Sequence, residues 1–214
     1  MERKISKIAD IGIVPVVKLE YPGRDALPLA DALCRGGVPL AEITFRAEGA
    51  ERAIAAMKRA HPEMLVGAGT VLCEEHIDAA LDAGADFIVT PGLDRDLVHY
   101  AGERGVPIFP GCTTATDYHA AYRLGLPVLK FFPAELSGGV AKIKALAAPF
   151  PMFRIMPTGG ISLENLAAYI SCPAVCACGG SYMVTPALIG GGRWDEVTAL
   201  CRRSVEIIAE VRSK

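Results

Sequence analysis

Short apolar runs alternate along the chain with longer segments whose apolar residues recur at helical spacing. Eight of these runs have the length of a buried strand, and most of their residues are apolar on both faces rather than on one face only. A parallel sheet covered on both faces produces this pattern, because both sides of each strand are buried. The predicted strands cover residues 13–17, 41–45, 65–69, 87–90, 107–109, 128–131, 153–156 and 174–177.

The segments between the runs are rich in Ala and Leu and carry their charges on one face, as helices packed on a sheet do. One such segment follows each predicted strand, and glycines precede several of the next strands, where a helix ends in a left-handed residue. The predicted helices cover residues 25–35, 50–60, 74–83, 94–104, 114–124, 139–147, 163–170 and 195–211.

Eight strand–helix pairs within 214 residues favour a compact (β/α)8 barrel (TIM barrel), an α/β fold, as a single domain over residues 1–214. The alternative is a doubly wound open sheet. Its usual phosphate-binding motif ends on glycine, whereas the segment 67–72 ends on Leu72. In a barrel, the C-terminal ends of the strands and the loops after them form the active site, so polar residues there are the candidates for function.

One cation interrupts an otherwise apolar predicted strand. By the two-residue period of a strand, Lys130 shares a face with Val128 and Phe132, while Leu129 and Phe131 face the helices. Lys130 is therefore expected to point into the barrel, where burial favours the neutral amine, which attacks carbonyl groups. A structural lysine paired with a core carboxylate is the alternative, and we favour the catalytic interpretation.

The second predicted strand carries Glu42, Thr44 and Arg46 on one face, with Ile43 and Phe45 on the other. Glu42 could move protons, and the guanidinium of Arg46 can hold a substrate carboxylate through two hydrogen bonds. An internal salt bridge between Glu42 and Arg46 explains the pattern equally well, and the strand alone leaves both interpretations open.

Two glycine pairs stand in corresponding places, after the seventh and the eighth predicted strands. Their segments consist of Thr158, Gly159 and Gly160, and of Gly179, Gly180 and Ser181. Glycines let backbone N–H groups approach an anion, and phosphate sites of barrels commonly form between these two loops. Two adjacent pairs are poorly explained as ordinary turns, so the sequence predicts a phosphate site here.

Composition narrows the classes of function. Hydrophobic residues make up 51% of the chain and the formal net charge is −2, which excludes a disordered chain and argues against a nucleic-acid or membrane-surface partner. No apolar run approaches the roughly 18 residues of a membrane helix.

Seven scattered cysteines indicate reduced thiols and a cytoplasmic location, and the spacing of Cys172, Cys176 and Cys178 is not that of a zinc site. Lys18 is a rival amine, but Glu20 offers it a surface partner.

Six motifs, in this order along the chain, carry a resemblance to a known family. They are EITFRAE (42–48), VGAGTV (66–71), TPG (90–92), KFFPAE (130–135), PTGGIS (157–162) and GGS (179–181). They resemble the motifs of the 2-keto-3-deoxy-6-phosphogluconate (KDPG) / 4-hydroxy-2-oxoglutarate (KHG) aldolases, and the similarity extends from Ile13 to about Met183. Cys112, Thr113 and Tyr182 depart from the family pattern.

The resemblance implies a role for each matching residue. Lys130 would be the Schiff-base lysine and Glu42 the general acid/base. The remaining roles would be carboxylate binding by Arg46 and Thr70, pocket lining by Pro91 and Phe132, and binding of the distal phosphate by Thr158, Gly159, Gly160 and Ser181. The resemblance also implies a homotrimer that uses no metal or other cofactor and acts on a 2-keto-3-deoxy acid phosphate to give pyruvate.

Three alternatives stay open. The substrate could be the galactonate epimer of the phosphorylated keto acid or also 4-hydroxy-2-oxoglutarate, because the sequence does not reveal which C4 configuration or chain length the site accepts. The chain could be another phosphosugar barrel enzyme, an isomerase or decarboxylase, although the Asp-x-Lys-x-x-Asp motif expected there is missing around Lys130. A non-catalytic phosphometabolite-binding barrel would have no use for a buried lysine and carboxylate in one cavity.

Overall fold

The computed structural model describes residues 1–213. Within them, ten α-helices alternate with eight strands. The strands are β1 (Ile13–Val17), β2 (Leu40–Thr44), β3 (Leu65–Gly69), β4 (Phe87–Val89), β5 (Ile108–Phe109), β6 (Val128–Phe131), β7 (Arg154–Pro157) and β8 (Cys178–Gly180). The helices are α1 (Glu2–Ile11), α2 (Pro22–Arg35), α3 (Ala50–Ala60), α4 (Glu74–Asp82), α5 (Arg95–Glu103), α6 (Ala115–Arg123), α7 (Gly139–Ala147), α8 (Leu163–Ile170), α9 (Pro186–Gly190) and α10 (Trp194–Arg212).

All strands are parallel, and together they close a ring. Six strands pair in the order β5-β4-β3-β2-β1-β8, and β6 pairs with β7. Single bridges from Gly111 to Lys130 and from Thr158 to Gly179 join the two groups at both seams. The predicted barrel is confirmed, and the open sheet is excluded by this closure.

Burial on both strand faces follows from this architecture. Every residue of β1, β2, β3 and β6 is buried, including Glu42 and Lys130. The helices cover the outside of the ring with residues such as Leu29, Leu33 and Ile54, which are fully buried. The polar side chains inside the barrel therefore stand out against a core that is otherwise apolar.

The predicted eighth strand, 174–177, is wrong. Strand β8 is Cys178–Gly180, so the glycines belong to the strand and not to the loop after it. Glycine is a poor strand former, which is why the sequence favoured the preceding residues. At Gly179, however, an added Cβ would lie 2.3 Å from Thr158 Oγ1, so the close contact between β7 and β8 excludes a side chain. The other strands match their predictions to within one residue at each end.

Helices α1 and α9 were not predicted. In α1, Ile5 and Ile8 are buried, and the helix ends at Gly12, whose φ of 78° is left-handed. This charged segment contains few apolar residues, so its amphipathic pattern was not evident from the sequence. Within residues 1–213, no helix is long and apolar enough to cross a membrane.

Asp86 connects helices to the N-terminal end of the barrel. Its carboxylate accepts hydrogen bonds from Lys58 Nζ at 2.8 Å and from the Val66 N–H at 3.0 Å, and it pairs with Lys4 at 3.0 Å. Burial alone would raise the pKa of this carboxyl, but these three donors lower it below its ordinary value. A lowered pKa in the folded state means that the stabilisation is present above the unfolded value of 3.8 and is lost as the pH falls through the folded value.

Asp86→Asn should therefore lower the free energy of unfolding at pH 7 by about 1–3 kcal/mol. The difference from the wild type should shrink as the pH falls below the unfolded value of 3.8, because the carboxyl then binds a proton in the unfolded state first and in the folded state only at its lowered pKa. Urea denaturation at pH 7 and pH 3.5 measures both effects. Asp195→Asn, at a side chain that is 95% exposed, is the matched control, and an equal effect of the two substitutions would contradict the prediction.

Candidate active site

A cavity of about 300 Å³ opens at the C-terminal ends of the barrel strands. Every predicted site residue except Glu42 and Gly180 lines it. The lining residues from the prediction are Arg46, Thr70, Pro91, Lys130, Phe132, Thr158, Gly159, Gly160, Gly179 and Ser181, and the sequence reasoning missed Ile161 and Tyr182. Both missed residues directly follow predicted ones, so adjacency to a glycine loop was the available signal.

Lys130 lies in β6 with only 5% of its surface exposed. Its Nζ is 4.8 Å from the centre of the Phe132 ring and 3.9 Å from Glu42 Oε1. Its backbone N–H donates to the Pro110 carbonyl at 2.9 Å, which fixes the strand to the end of β5. The amine is therefore held inside the barrel, on the same face as Phe132, as the strand period predicted.

Glu42 is fully buried behind the cavity, and Gly69 on the neighbouring strand makes room for it. A Cβ added at Gly69 would lie 2.2 Å from Glu42 Oε1. Neither carboxylate oxygen accepts a hydrogen bond from residues 1–213, although buried polar groups are almost always satisfied. Glu42 forms its ion pair with Lys130. The internal salt bridge between Glu42 and Arg46 that the sequence left open is therefore not present among residues 1–213. The sequence pattern assigned no role to Gly69, although a glycine inside a buried strand is a sign of such a close approach.

Arg46 follows β2 and projects its guanidinium into the cavity. Its Nε donates to Thr44 Oγ1 at 3.2 Å, and it forms no ion pair with another side chain of residues 1–213. A guanidinium held at one nitrogen keeps its remaining N–H groups for a planar anion such as a carboxylate.

Thr70 follows β3 and has a strained backbone. Among the non-glycine residues of 1–213 it alone has a positive φ, at 55°. A left-handed conformation costs a β-branched residue about 1–3 kcal/mol, and such residues cluster at functional sites. The conformation brings Thr70 to the cavity wall beside Pro91, which follows β4.

The loop after β7 forms the opposite part of the cavity. Its carbonyls are all engaged: Thr158 O accepts from the Ala134 N–H at 2.8 Å, Gly159 O from the Glu135 N–H at 3.1 Å, and Gly160 O from Asn165 Nδ2 at 2.9 Å. The hydroxyl of Thr158 is buried and has no hydrogen-bond partner within residues 1–213. Helix α8 begins just after this loop and adds the partial positive charge of its N-terminus. The loop is fixed in place and suited to an anion.

The segment after β8 contributes less than the glycine pattern suggested. Gly180 pairs with Pro15 inside the sheet and does not line the cavity. The Ser181 hydroxyl lines it, but donates to the Val16 carbonyl at 3.0 Å. The Tyr182 hydroxyl and Ser204 Oγ lie 2.6 Å apart, and burial raises the pKa of Tyr182 to about 12, so the phenol is neutral at pH 7.

Cys112 supports the lysine strand from the loop after β5. Its backbone N–H donates to the Lys130 carbonyl at 2.8 Å. Burial raises the pKa of its thiol to about 12, which keeps the sulfur protonated at neutral pH. The Thr113 N–H bonds Asp117 Oδ2 at 2.9 Å and so belongs to the start of α6. Both hydrogen bonds are made by backbone N–H groups, so they do not depend on the side chains by which Cys112 and Thr113 depart from the family pattern.

The other candidates lie elsewhere. Lys18 pairs with Glu20 at 2.5 Å, and its side chain is 41% exposed, as expected for a surface pair. Cys172 and Cys178 are buried core residues, and Cys176 is half-buried. Within residues 1–213, no group of three or more His, Cys, Asp or Glu side chains is arranged to hold a metal ion.

Comparison with known proteins identifies the family. The family model described as KDPG and KHG aldolase matches residues 5–200. The chain belongs to this family. The 2-dehydro-3-deoxy-phosphogluconate aldolase of Haemophilus influenzae is 45% identical over 204 residues, which cover 95% of this chain and 96% of that protein.

Solved structures of family members have the same fold. The KDPG aldolase of Legionella pneumophila, with pyruvate captured as a covalent carbinolamine intermediate, superposes with a TM-score of 0.90 at 32% identity and covers 94% of this chain and 98% of that chain. The KDPG aldolase of Zymomonas mobilis with 3-phosphoglycerate superposes with a TM-score of 0.89 at 36% identity, covering 96% of both chains. The barrel is therefore that of the family over nearly its whole length.

Proposed function

We propose that this chain is a class I aldolase, a lyase that cleaves 2-keto-3-deoxy-6-phosphogluconate to pyruvate and glyceraldehyde 3-phosphate. The observation that supports this most strongly is the buried amine of Lys130, 3.9 Å from the carboxylate of Glu42, beside a cavity that the glycine loop after the neighbouring strand β7 also lines. Family membership over residues 5–200 supports the same reaction.

The reaction begins at the C2 ketone of the substrate. The neutral amine of Lys130 attacks this carbon to give a carbinolamine, and protonation of its hydroxyl followed by loss of water gives an iminium. The positive nitrogen can accept the electron pair of the bond between C3 and C4. Burial of Lys130 at 5% exposure keeps bulk water away from the iminium while the bond breaks.

Cleavage requires a base for the C4 hydroxyl. Glu42 takes that proton, directly or through a water, as the bond between C3 and C4 breaks and glyceraldehyde 3-phosphate forms. The electron pair of the bond moves into the pyruvate enamine. Protonation of the enamine at C3 and hydrolysis of the resulting iminium release pyruvate and return the amine of Lys130.

Binding groups at both ends of the substrate align it for this chemistry. Arg46 and Thr70 bind the carboxylate next to the ketone, and Pro91 and Phe132 line the wall between the ends. Thr158, Gly159, Gly160 and Ser181, together with Gly179 and the N-terminus of α8, bind the phosphate.

A comparison of three substrates tests this proposal: 2-keto-3-deoxy-6-phosphogluconate, its galactonate epimer and 4-hydroxy-2-oxoglutarate. We expect the highest kcat/KM with the first, and slower cleavage of 4-hydroxy-2-oxoglutarate, which lacks the phosphate. A higher kcat/KM with the epimer would transfer the proposal to that substrate. Cleavage of none of the three would overturn it.

Ser181→Asp tests the phosphate end. A carboxylate beside a bound phosphate should lower kcat/KM for the phosphorylated substrate by about 10- to 100-fold through like-charge repulsion. 4-Hydroxy-2-oxoglutarate should suffer less, so the ratio of the two kcat/KM values should fall. Ser181→Ala is the matched control and should have a smaller effect, because the hydroxyl already donates to Val16. An unchanged ratio in Ser181→Asp would mean that the phosphate binds elsewhere.

Metal independence is a further part of the proposal. The lysine supplies the electron sink that a divalent ion provides in class II aldolases. Activity should therefore survive exhaustive treatment with EDTA. A large loss that zinc or another divalent ion restores would contradict this prediction.

The proposed assembly is a homotrimer, as the family resemblance implies, with pyruvate and the keto acid phosphate as its small-molecule partners. The seven free cysteines support a location in the reducing cytoplasm. Light scattering coupled to size-exclusion chromatography would give the oligomeric state directly.

A further inference from the structure

A buried hydroxyl lies directly behind the cavity arginine. Thr44 is the last residue of β2, between Glu42 and Arg46 on one strand face, and only 1% of its surface is exposed. Its Oγ1 donates to the Val17 carbonyl on β1 at 2.8 Å and accepts from Arg46 Nε at 3.2 Å. The three groups form a chain from the backbone of one strand to the guanidinium on the next.

The direction of each hydrogen bond follows from the available hydrogens. A threonine hydroxyl has a single hydrogen, and the Val17 carbonyl can only accept, so that hydrogen is used there. The arginine can only donate, so it takes a lone pair of the same oxygen. The hydroxyl is thus oriented as an acceptor toward Arg46 by the sheet itself.

This contact determines which edge of the guanidinium is free. With Nε engaged by Thr44, the two terminal amino groups remain for a ligand at the cavity mouth. Arg46 is exposed and pairs with no carboxylate of residues 1–213, so the hydroxyl is the side-chain contact that restrains it. Long flexible side chains lose binding energy when they must be ordered at the moment of binding.

We propose that Thr44 is a positioning residue that pre-orients Arg46 for the carboxylate of the keto acid. The proposal rests on the function proposed above, in which Arg46 binds that carboxylate. Thr44 itself does not line the cavity and has no role in proton transfer or in iminium formation.

The experiment measures pyruvate binding without the rest of the substrate. Borohydride inactivates the enzyme by reducing the iminium formed with pyruvate. The rate of inactivation is measured as a function of the pyruvate concentration. Thr44→Val keeps the shape and removes the hydroxyl. We expect the half-saturating pyruvate concentration to rise about tenfold, with the plateau rate changed by less than about threefold, because orientation for binding is lost while Lys130 remains intact.

Two variants separate positioning from general loss of structure. Thr44→Ser keeps the hydroxyl and should restore a half-saturating concentration close to that of the wild type. Thr198→Val is the matched control, because the Thr198 hydroxyl is also buried and also donates to a backbone carbonyl, that of Ala32 at 3.0 Å, between α10 and α2. It should leave both constants unchanged. If Thr44→Val does not fold, Thr44→Ala replaces it in the same comparison.

Arg46→Ala distinguishes failure of this proposal from failure of the function on which it rests. If Arg46→Ala leaves the half-saturating concentration unchanged, the carboxylate role of Arg46 is wrong. If Arg46→Ala raises it but Thr44→Val behaves like Thr198→Val, or Thr44→Ser does not restore it, the positioning role is wrong. In the double variant that combines Thr44→Val with Arg46→Ala, the half-saturating pyruvate concentration should equal that of Arg46→Ala alone. Additive effects of the two substitutions would overturn the proposal.

Discussion

Lys130→Arg should abolish cleavage, with kcat lowered by at least about 10⁴-fold. A guanidinium stays protonated at all accessible pH values and cannot condense with a ketone, although it keeps the positive charge beside Glu42. The charge balance of the buried pair is thus preserved while the nucleophile is lost. Continuous measurement of pyruvate release at saturating substrate gives kcat.

Lys18→Arg is the matched control for this substitution. It makes the same replacement of an amine by a guanidinium, but at a side chain that is 41% exposed and paired with Glu20. Its turnover should equal that of the wild type. If Lys130→Arg turned over within about tenfold of the wild type, an iminium at Lys130 would not be on the reaction path.

Glu42→Gln should lower kcat by about 10²- to 10⁴-fold, the usual range for removing a positioned acid or base, with a smaller change in KM. The amide has nearly the same size as the carboxylate, so the space beside Gly69 remains filled. It cannot accept the C4 hydroxyl proton. Steady-state kinetics with the phosphorylated substrate give both constants.

Glu20→Gln provides the comparison for a carboxylate outside the cavity and should leave kcat unchanged. Borohydride trapping of pyruvate should still proceed in Glu42→Gln, because the amine is intact, although its rate can fall. Turnover of Glu42→Gln near that of the wild type would reduce Glu42 to a structural partner of Lys130.

The barrel and the place of the lysine could be predicted from sequence because both follow from burial. Few folds accommodate eight apolar runs at the spacing of βα units. A single cation in such a run must point either into the barrel or toward the helices. The period of β6 placed Lys130 and Phe132 on one face, and the structure confirms that the amine lies over that ring.

The remaining features depend on contacts between strands, which a single strand does not reveal. The glycines of β8 looked like a loop because their role, an approach to Thr158 too close for a Cβ, involves a different strand. For the same reason the sequence did not determine the ion-pair partner of Glu42. The pattern within β2 indicated Arg46, whereas in the structure the partner is Lys130 on β6. The positioning role proposed for Thr44 was not evident from the sequence, because it depends on a hydrogen bond to the carbonyl of Val17 on the adjacent strand.

Trapping with pyruvate and borohydride, followed by peptide mapping, tests the central claim most directly. Reduction of the iminium should attach one pyruvate-derived group to the protein, and mass spectrometry should place it on the peptide that contains Lys130. Modification of Lys18 instead, or no modification under conditions in which the enzyme cleaves its substrate, would contradict the assignment of Lys130 as the Schiff-base lysine.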